Sequence, residues 1–308
     1  MKMFLRRLWK CIKQALPKAG KTSLWLLKIV LPVSLLVRLM QYYGLIAILA
    51  DYLHPLFNFI GLPGATAIVF ITSIFLPLYG TIAVMTSLAM NMREATILTL
   101  MCLVAHSLLV ECAVMKKTGS SFIGMIALRI GMAFVVAIFL NTVLPVNNTP
   151  FMMVTQPEDY ASLVPLLVSW IESSLLLVVI IMLIITTLMI LQRVLLEFNL
   201  IESISRPLRP LMRIFGLGED APFFWLVGNL VGLAYGSAVM IDMVQEGKLT
   251  LKESNTLNHH LAISHSLLED TLLFAALGIN IGVIMGTRVL FAMAVVWGRR
   301  LITTVFNH

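Results

Sequence analysis

Long apolar runs alternate with short, interrupted ones along this chain. The continuous runs cover 24–40, 95–115, 121–143, 163–191, 253–275 and 279–298. Each is long enough for a helix to cross, or nearly cross, a hydrocarbon core of about 30 Å. The pattern therefore predicts an all-α polytopic membrane protein with six spans.

Two further apolar segments, 62–92 and 217–248, contain residues that disrupt helices. The disrupting residues are Pro77 and Tyr79-Gly80 in the first segment, and Gly228, Gly232 and Tyr235-Gly236 in the second. Each segment is expected to form either a broken span or a re-entrant hairpin. The shorter stretches at 44–60 and 198–215 carry His-Pro and Arg-Pro pairs, and they predict surface helices.

Composition narrows the class of protein. Of the 308 residues, 59% are hydrophobic and 12% are charged, and the mean hydropathy is +0.96. Soluble proteins carry about 25% charged residues, so an ordinary cytosolic enzyme, a disordered tail and a disulfide scaffold are excluded. The net charge is +7, but the chain has too few polar residues to form the surface that a nucleic-acid site needs.

The distribution of basic residues predicts the topology. If both interrupted segments are re-entrant hairpins, most of the 22 Lys and Arg residues fall on one face. The positive-inside rule then places both termini in the cytoplasm of a bacterial inner membrane. The basic segment 1–23, with Pro17 as a stop, predicts either an interfacial amphipathic helix or a cytoplasmic tail.

An internal repeat connects the two halves of the chain. Tyr79-Gly80-Thr81 matches Tyr235-Gly236-Ser237, and His106-Ser107-Leu108-Leu109 recurs as His265-Ser266-Leu267-Leu268. The repeats extend over 24–143 and 163–300, joined by an external linker at 144–162 and followed by a cytoplasmic tail at 301–308. Because each repeat has three spans, a surface helix and a hairpin, the second copy is predicted to be inverted, as in many secondary transporters.

Ionisable residues inside the spans are candidates for function, because each costs about 2.5–3.5 kcal/mol at mid-membrane. We predict the ion pairs Glu111–Arg129 and Asp270–Arg288, and a shared helix face for His265 and Glu269. Glu172 and Asp242 are further candidates for proton or ion coupling. Two alternatives remain open: the charges only hold helices together, and the His-Ser and Tyr-Gly motifs serve interhelical hydrogen bonds and kinks without a ligand.

No cofactor and no metal site is predicted. His259, His260, His265 and Glu269 offer donor atoms, but the chain has no His-Glu-x-x-His and no cysteine pair at ligand spacing. Gly-rich phosphate loops and nucleophile elbows are also missing from the sequence.

The repeated Tyr-Gly-Thr segment and His-Ser-Leu-Leu helix resemble the nucleoside-recognition, or Gate, domain. Concentrative nucleoside transporters, the membrane part of ferrous-iron transporter B and the spore-maturation proteins A and B share that domain. The resemblance covers about 61–143 and 216–298. It implies two inverted Gate units around a central site and allows homo-oligomers. The chain departs from the iron transporter in having no GTPase domain, and it contains no motif that fixes a nucleobase.

The prediction is therefore a Gate-type secondary transporter, not an enzyme, that moves a small polar or charged solute by alternating access. Its expected partners are the lipid bilayer and a small solute or ion. Alternatives are a non-transporting membrane partner, a lipid or lipid-phosphate handling protein, and an intramembrane metalloenzyme, which bound zinc or iron would indicate. The predicted substrate-binding residues are Tyr79, Gly80, Thr81, Tyr235, Gly236, Ser237, His106, Ser107, His265 and Ser266. The predicted buried or ion-coupling charges are Glu111, Arg129, Glu172, Asp242, Glu269, Asp270 and Arg288.

Overall fold

Helices form nearly all regular structure in the part of the chain that the structure describes, as the hydropathy predicts. The structure is a computed structural model that describes residues 2–151, 162–219, 221–247 and 249–306. The first half contains α1 (Lys2–Tyr42), α2 (Leu45–Phe59), α3 (Ala67–Phe75), α4 (Leu78–Met85), α5 (Met92–Ala105), α6 (Leu108–Lys117) and α7 (Phe122–Val143). The second contains α8 (Leu163–Glu197), α9 (Leu200–Ser205), α10 (Arg209–Ile214), α11 (Ala221–Leu230), α12 (Leu233–Gln245), α13 (Leu251–Ser264), α14 (Leu267–Ala275) and α15 (Ile281–Phe306).

Five helical stretches within the described residues are long and apolar enough to cross a membrane. They are α1, α5 with α6, α7, α8 and α15, and the count reaches six if the pair Ala50–Phe59 and Gly64–Phe75, bent by 98°, forms one span. The predicted span at 253–275 is not among them, because α13 carries polar residues along its length. Some of these side chains are satisfied by protein: Asn258 donates to the Thr118 and Ser120 hydroxyls, each at 2.8 Å.

The N-terminal helix does not stop at Pro17, contrary to the expectation from the sequence. α1 continues through Pro17 and Pro32 without a break. A proline inside a helix removes one backbone hydrogen bond and costs about 3 kcal/mol, and the packing of α1 along α8 offsets that cost. The predicted linker at 144–162, including Glu158 and Asp159, lies partly outside the described residues, since these end at 151 and resume at 162.

The long helices α1 and α8 pack against each other in opposite directions. The Arg7 guanidinium contacts Glu197 at 3.2 Å, and the Trp170 indole donates to the Ser34 hydroxyl at 2.9 Å. The start of α1 therefore lies beside the end of α8, and the last quarter of α1 lies beside the start of α8.

Each interrupted segment forms two short helices that break at one of the predicted disrupting residues, Pro77 or Gly232, and not at the Tyr-Gly pairs. The breaks lie at Leu76-Pro77, between α3 and α4, and at Val231-Gly232, between α11 and α12. Tyr79-Gly80 and Tyr235-Gly236 instead lie inside helices, so the prediction that they form the breaks is wrong. Pro77 stops α3 because it lacks an N–H and disfavours a helical residue before it. Gly232 adopts a φ of 103°, which glycine alone adopts readily.

The first interrupted segment begins and ends at one side of the molecule. Before α3, Gly61 packs against Asn141 at the end of α7. After α4, the Ser87 carbonyl accepts a hydrogen bond from Gln41 at 2.9 Å, near the end of α1. Arg93 at the start of α5 binds the Asn141 carbonyl at 2.5 Å. Helices α3 and α4 therefore enter and return on the side where α1 and α7 end.

The second interrupted segment also begins and ends at one side of the molecule, near the last turns of α15. Gly216 packs against Trp297 near the end of α15, and Trp297 donates to the Ile214 carbonyl at 2.9 Å. A cavity of about 630 Å³ is lined by Ala221, at the start of α11, and by Leu249, just after α12. Within this hairpin Gly228 and Gly236 touch: a Cβ on Gly236 would lie 3.2 Å from the Gly228 Cα.

Two apolar cores hold the molecule together, and each uses helices from both halves. The first core is built mostly from α1 to α7 and includes Phe274 and Ala292 from α14 and α15. The second is built mostly from α8 to α13 and includes Cys112 and Met125 from α6 and α7. The broken helices of the two halves therefore meet inside the protein.

Candidate functional site

Two membrane helices break at the same motif, His-Ser. Helix α5 ends at Ala105, and Ser107 adopts a left-handed conformation with φ 45° before α6 begins. Helix α13 ends at Ser264, and Ser266 has φ 51° before α14 begins. Left-handed backbone costs an L-residue roughly 1–2 kcal/mol, so the surrounding structure must stabilise both breaks.

The tips of the two hairpins hold these breaks in place. The Ser107 N–H donates to the Ser73 carbonyl of α3 at 2.8 Å, and the Ser266 N–H donates to the Gly228 carbonyl of α11 at 3.0 Å. Each His-Ser break is thus tied to the hairpin of its own half. Ser107 and Ser266 therefore contribute through their backbone N–H groups, which hold the breaks to the hairpins.

The first buried arginine satisfies carbonyls that the break in α5–α6 leaves free. Arg129 of α7 is fully buried. Its Nε donates to the Val104 carbonyl at 2.7 Å, its Nη2 donates to the His106 carbonyl at 2.9 Å, and its Nη1 lies 2.7 Å from Glu111 Oε2.

The second buried arginine repeats this arrangement in α15. Arg288 is also fully buried. Its Nε donates to the Ile263 carbonyl at 2.9 Å, its Nη2 donates to the His265 carbonyl, and its Nη1 lies 2.9 Å from Asp270 Oδ2. Both ion pairs predicted from the sequence are therefore present, and each arginine also bridges a helix break.

The two histidines meet at the centre, although the sequence reasoning did not anticipate this contact. His106 Nε2 and His265 Nε2 lie 3.4 Å apart, with the ring centroids at 5.0 Å. Glu111 contacts both rings: Oε1 lies 3.2 Å from His106 Nε2, and Oε2 lies 3.0 Å from His265 Nε2. We call His106, Glu111 and His265 the central cluster. One ligand atom from each lies within 4.8 Å of the others, so these residues could hold a metal ion.

The other nitrogen of each ring is fixed by the backbone. His106 Nδ1 lies 3.0 Å from the Leu103 carbonyl, and His265 Nδ1 lies 2.7 Å from the Leu261 carbonyl. A carbonyl oxygen only accepts hydrogen bonds, so each Nδ1 carries the hydrogen and a neutral ring turns its Nε2 lone pair inward. The central cluster therefore brings three acceptor groups together.

Glu269 does not join His265 as predicted. The expectation of a shared helix face assumed an unbroken helix, and the break at Ser266 removes the i,i+4 relation. Glu269 instead accepts a hydrogen bond from the Tyr79 hydroxyl at 3.1 Å, which links α4 of the first half to α14 of the second. Asp270, at the position matching Glu111, contacts Arg288.

The small residues of the Tyr-Gly motifs lie in the interior. Thr81 and Ser237 are buried, and among the described residues neither hydroxyl has a hydrogen-bond partner. Gly80 packs against Leu76 at the first hairpin break, as Gly236 packs against Gly228 in the second hairpin.

Glu172 and Asp242, predicted as coupling residues, lie at exposed positions and not in the central cluster. Glu172 is exposed on α8, and Asp242 is exposed on α12. Tyr235 lies in α12, but its side chain is outside the described part of the structure.

The sequence contained a signal for the central cluster. The identical His-Ser-Leu-Leu tetrapeptides precede Arg129 and Arg288 by the same number of residues. Two equivalent positions in a repeat protein lie close together when they are near its symmetry axis, and this argument could have paired His106 with His265.

Comparison with known proteins agrees with the resemblance inferred from these motifs. Residues 23–122 match the Gate family model, described as nucleoside recognition. An uncharacterized membrane protein of Bacillus subtilis (strain 168), YvoD, is 29% identical over 279 residues, which cover 89% of this chain and 89% of the relative. No solved structure matches the chain. The predicted Gate resemblance is thus confirmed: this protein is a multi-helix membrane protein that carries a match to the Gate, or nucleoside-recognition, family over residues 23–122.

Proposed function

We propose that this protein is a secondary transporter, not an enzyme, that moves a small polar or charged solute across the cytoplasmic membrane by alternating access. The two halves act as inverted Gate-like repeats, and the solute or its coupling ion binds at the central cluster between them. Both termini face the cytoplasm, with α13 and α14 together crossing the membrane as a broken span like α5 and α6.

Matched contacts support the two repeats. The hydrogen bonds of Arg129 to Val104 and His106 recur as those of Arg288 to Ile263 and His265. The antiparallel packing of α1 and α8, the first long helix of each half, supports an inverted relation. An inverted pair of repeats can exchange conformations, which opens the shared site first to one side and then to the other.

The hairpins support re-entrant segments on opposite faces. The first begins and ends where α1 and α7 end, and the second begins and ends near the last turns of α15. Lys116 and Lys117, at the end of α6, lie on the side where α15 ends, because Gly119 packs against Leu251 at the start of α13. The positive-inside rule assigns that side to the cytoplasm.

The observation that carries the proposal is the meeting of two broken helices at buried ionisable groups. Each intramembrane charge costs about 2.5–3.5 kcal/mol, and fully buried Arg129 and Arg288 hold the breaks open beside the central cluster. Broken helices at the interface of two repeats are where secondary transporters bind their solutes. The buried hydroxyls of Thr81 and Ser237 offer additional groups for a solute.

Uptake by the purified chain in proteoliposomes tests this function. We expect one member of a panel of nucleosides, amino acids, organic anions and metal ions to accumulate in protein-dependent fashion. His106→Ala and His265→Ala are expected to lower the initial rate at least about tenfold, since about 1.4 kcal/mol of binding corresponds to a factor of ten. His54→Ala is the matched control, because His54 is exposed on α2.

If no panel member is taken up by folded protein, or if the two cluster variants transport as well as His54→Ala, the transport proposal fails.

A further inference from the structure

We propose that the central cluster binds one divalent transition-metal ion of the zinc class, with His106 Nε2, His265 Nε2 and a Glu111 carboxylate oxygen as ligands. This inference concerns binding alone, and it is independent of the transport proposed above.

The spacing of the two imidazoles suits a metal ion. Zinc binds histidine nitrogen at about 2.0–2.1 Å in tetrahedral geometry, which places two ligand atoms about 3.4 Å apart. The Nε2 atoms lie 3.4 Å apart in the structure. The carboxylate contacts of 3.2 Å and 3.0 Å to the same nitrogens are close to the corresponding edges. These two contacts use different oxygens, Oε1 and Oε2, so the carboxylate must rotate slightly to bring one oxygen toward both nitrogens around a single ion.

The ring orientations are already those of metal ligands. A ligating histidine usually donates its other ring N–H to a carbonyl or carboxylate, and this contact sets the tautomer. The Leu103 and Leu261 carbonyls accept from Nδ1 of His106 and His265. Arg129 orients Glu111 in a similar way: its guanidinium lies 2.7 Å from Oε2, and Oε1 is directed toward His106.

The arrangement of these groups favours a cation at this place. When both rings are neutral with the hydrogen on Nδ1, two imidazole lone pairs and a carboxylate face one another, and none of the three can donate a hydrogen bond to the others. Arg129 neutralises Glu111 from one side but does not fill the space between the rings. A cation between them removes the repulsion, and imidazole with carboxylate is a ligand set that zinc prefers.

The site can also exchange its ion. Three protein ligands leave a fourth tetrahedral position open, as in zinc sites that bind water or substrate. The Glu111 side chain is 16% exposed, whereas the two histidines are buried. Glu111 therefore offers the side from which an ion reaches the rings.

Metal content and spectroscopy of the full-length purified protein test the proposal. After treatment with a chelator, Co²⁺ is added as the probe, and we expect visible absorption typical of four-coordinate cobalt that Zn²⁺ abolishes. Dialysis against Zn²⁺ should leave about one ion per chain. His106→Gln, His265→Gln and Glu111→Gln are expected to weaken binding at least about 100-fold, since even changes outside the ligand shell cost 10–100-fold.

His54→Ala is the control and should bind as the unchanged protein does. X-ray absorption of the zinc-loaded, unchanged protein adds a measurement that does not depend on the folding of any variant; it should show two imidazoles in the coordination shell. Absence of Co²⁺ and Zn²⁺ binding by folded protein, binding that survives in all three cluster variants, or a shell without imidazole would overturn the proposal. Zinc binding without any uptake would support this inference and count against transport, whereas uptake without metal binding would do the reverse.

Discussion

Replacing Arg288 by lysine tests whether the buried arginines hold the helix breaks together. Arg288 makes three contacts: to the Ile263 and His265 carbonyls at the end of α13, and to Asp270 in α14 beyond the break. Lysine retains the charge and can keep the ion pair. It lacks the planar fork that bridges two carbonyls, so Arg288→Lys loses about two backbone contacts.

The expected loss follows from those two contacts. Hydrogen bonds between membrane helices contribute about 0.6 kcal/mol on average and at most about 1.7 kcal/mol. Arg288→Lys should therefore lower the free energy of unfolding by about 1–3 kcal/mol. Asp270→Asn keeps both carbonyl contacts but leaves a buried charge without its partner, which costs about 3–5 kcal/mol.

Thermal unfolding of detergent-purified protein, followed by tryptophan fluorescence, measures both effects. Arg206→Lys is the control, because Arg206 is exposed and pairs with Glu202 on the surface; exposed pairs of this kind contribute about 0–1 kcal/mol. The reasoning is refuted if Arg288→Lys unfolds at the same temperature as Arg206→Lys. It is also refuted if Asp270→Asn proves the milder of the two buried changes.

Three other predictions concern the hairpins and the topology. Gly236→Val should destabilise the protein by about 1–3 kcal/mol, because its Cβ would press against the Gly228 backbone 3.2 Å away; an equal melting temperature for Gly236→Val and Gly131→Val, where a Cβ meets open space, would contradict the hairpin packing. Tyr79→Phe should cost about 1 kcal/mol through the lost bond to Glu269, whereas Tyr52→Phe, at an 84% exposed residue, should cost nothing measurable in the same melting assay. A cysteine at Lys116, in a chain otherwise free of cysteine, should react with a membrane-impermeant maleimide only after the cells are opened, and labelling of intact cells would show that the first hairpin crosses the membrane.

Much of the fold could be predicted because lipid imposes a strict rule on sequence. Spans must be long and apolar, so hydropathy alone located α5–α6, α7, α8 and α15. The test of length and hydropathy does not select α13, because it carries polar residues such as Asn258, which donates hydrogen bonds to Thr118 and Ser120 of the other half. It also failed to show that α1 continues through Pro17, because packing against α8 is not visible in a local pattern.

The charged pairs were predictable and the central cluster was not. Arg129 and Arg288 needed carboxylates on energetic grounds, and Glu111 and Asp270 were near in sequence. His106 and His265 are far apart along the chain, and their contact depends on how the two halves pack. The break at each His-Ser motif also redirected Glu269 toward Tyr79, a change that helical periodicity alone could not anticipate.

The sequence by itself determined the environment, the helical class and the requirement that buried charges be paired, because each follows from the free energy of placing groups in lipid. Only the tertiary structure decided where the helices break and which residues meet at the centre. Those features depend on backbone contacts between distant segments, such as Ser107 with Ser73 and Ser266 with Gly228. The meeting of His106, Glu111 and His265 is a product of that packing, and it turns a pair of matching tetrapeptides into one candidate site.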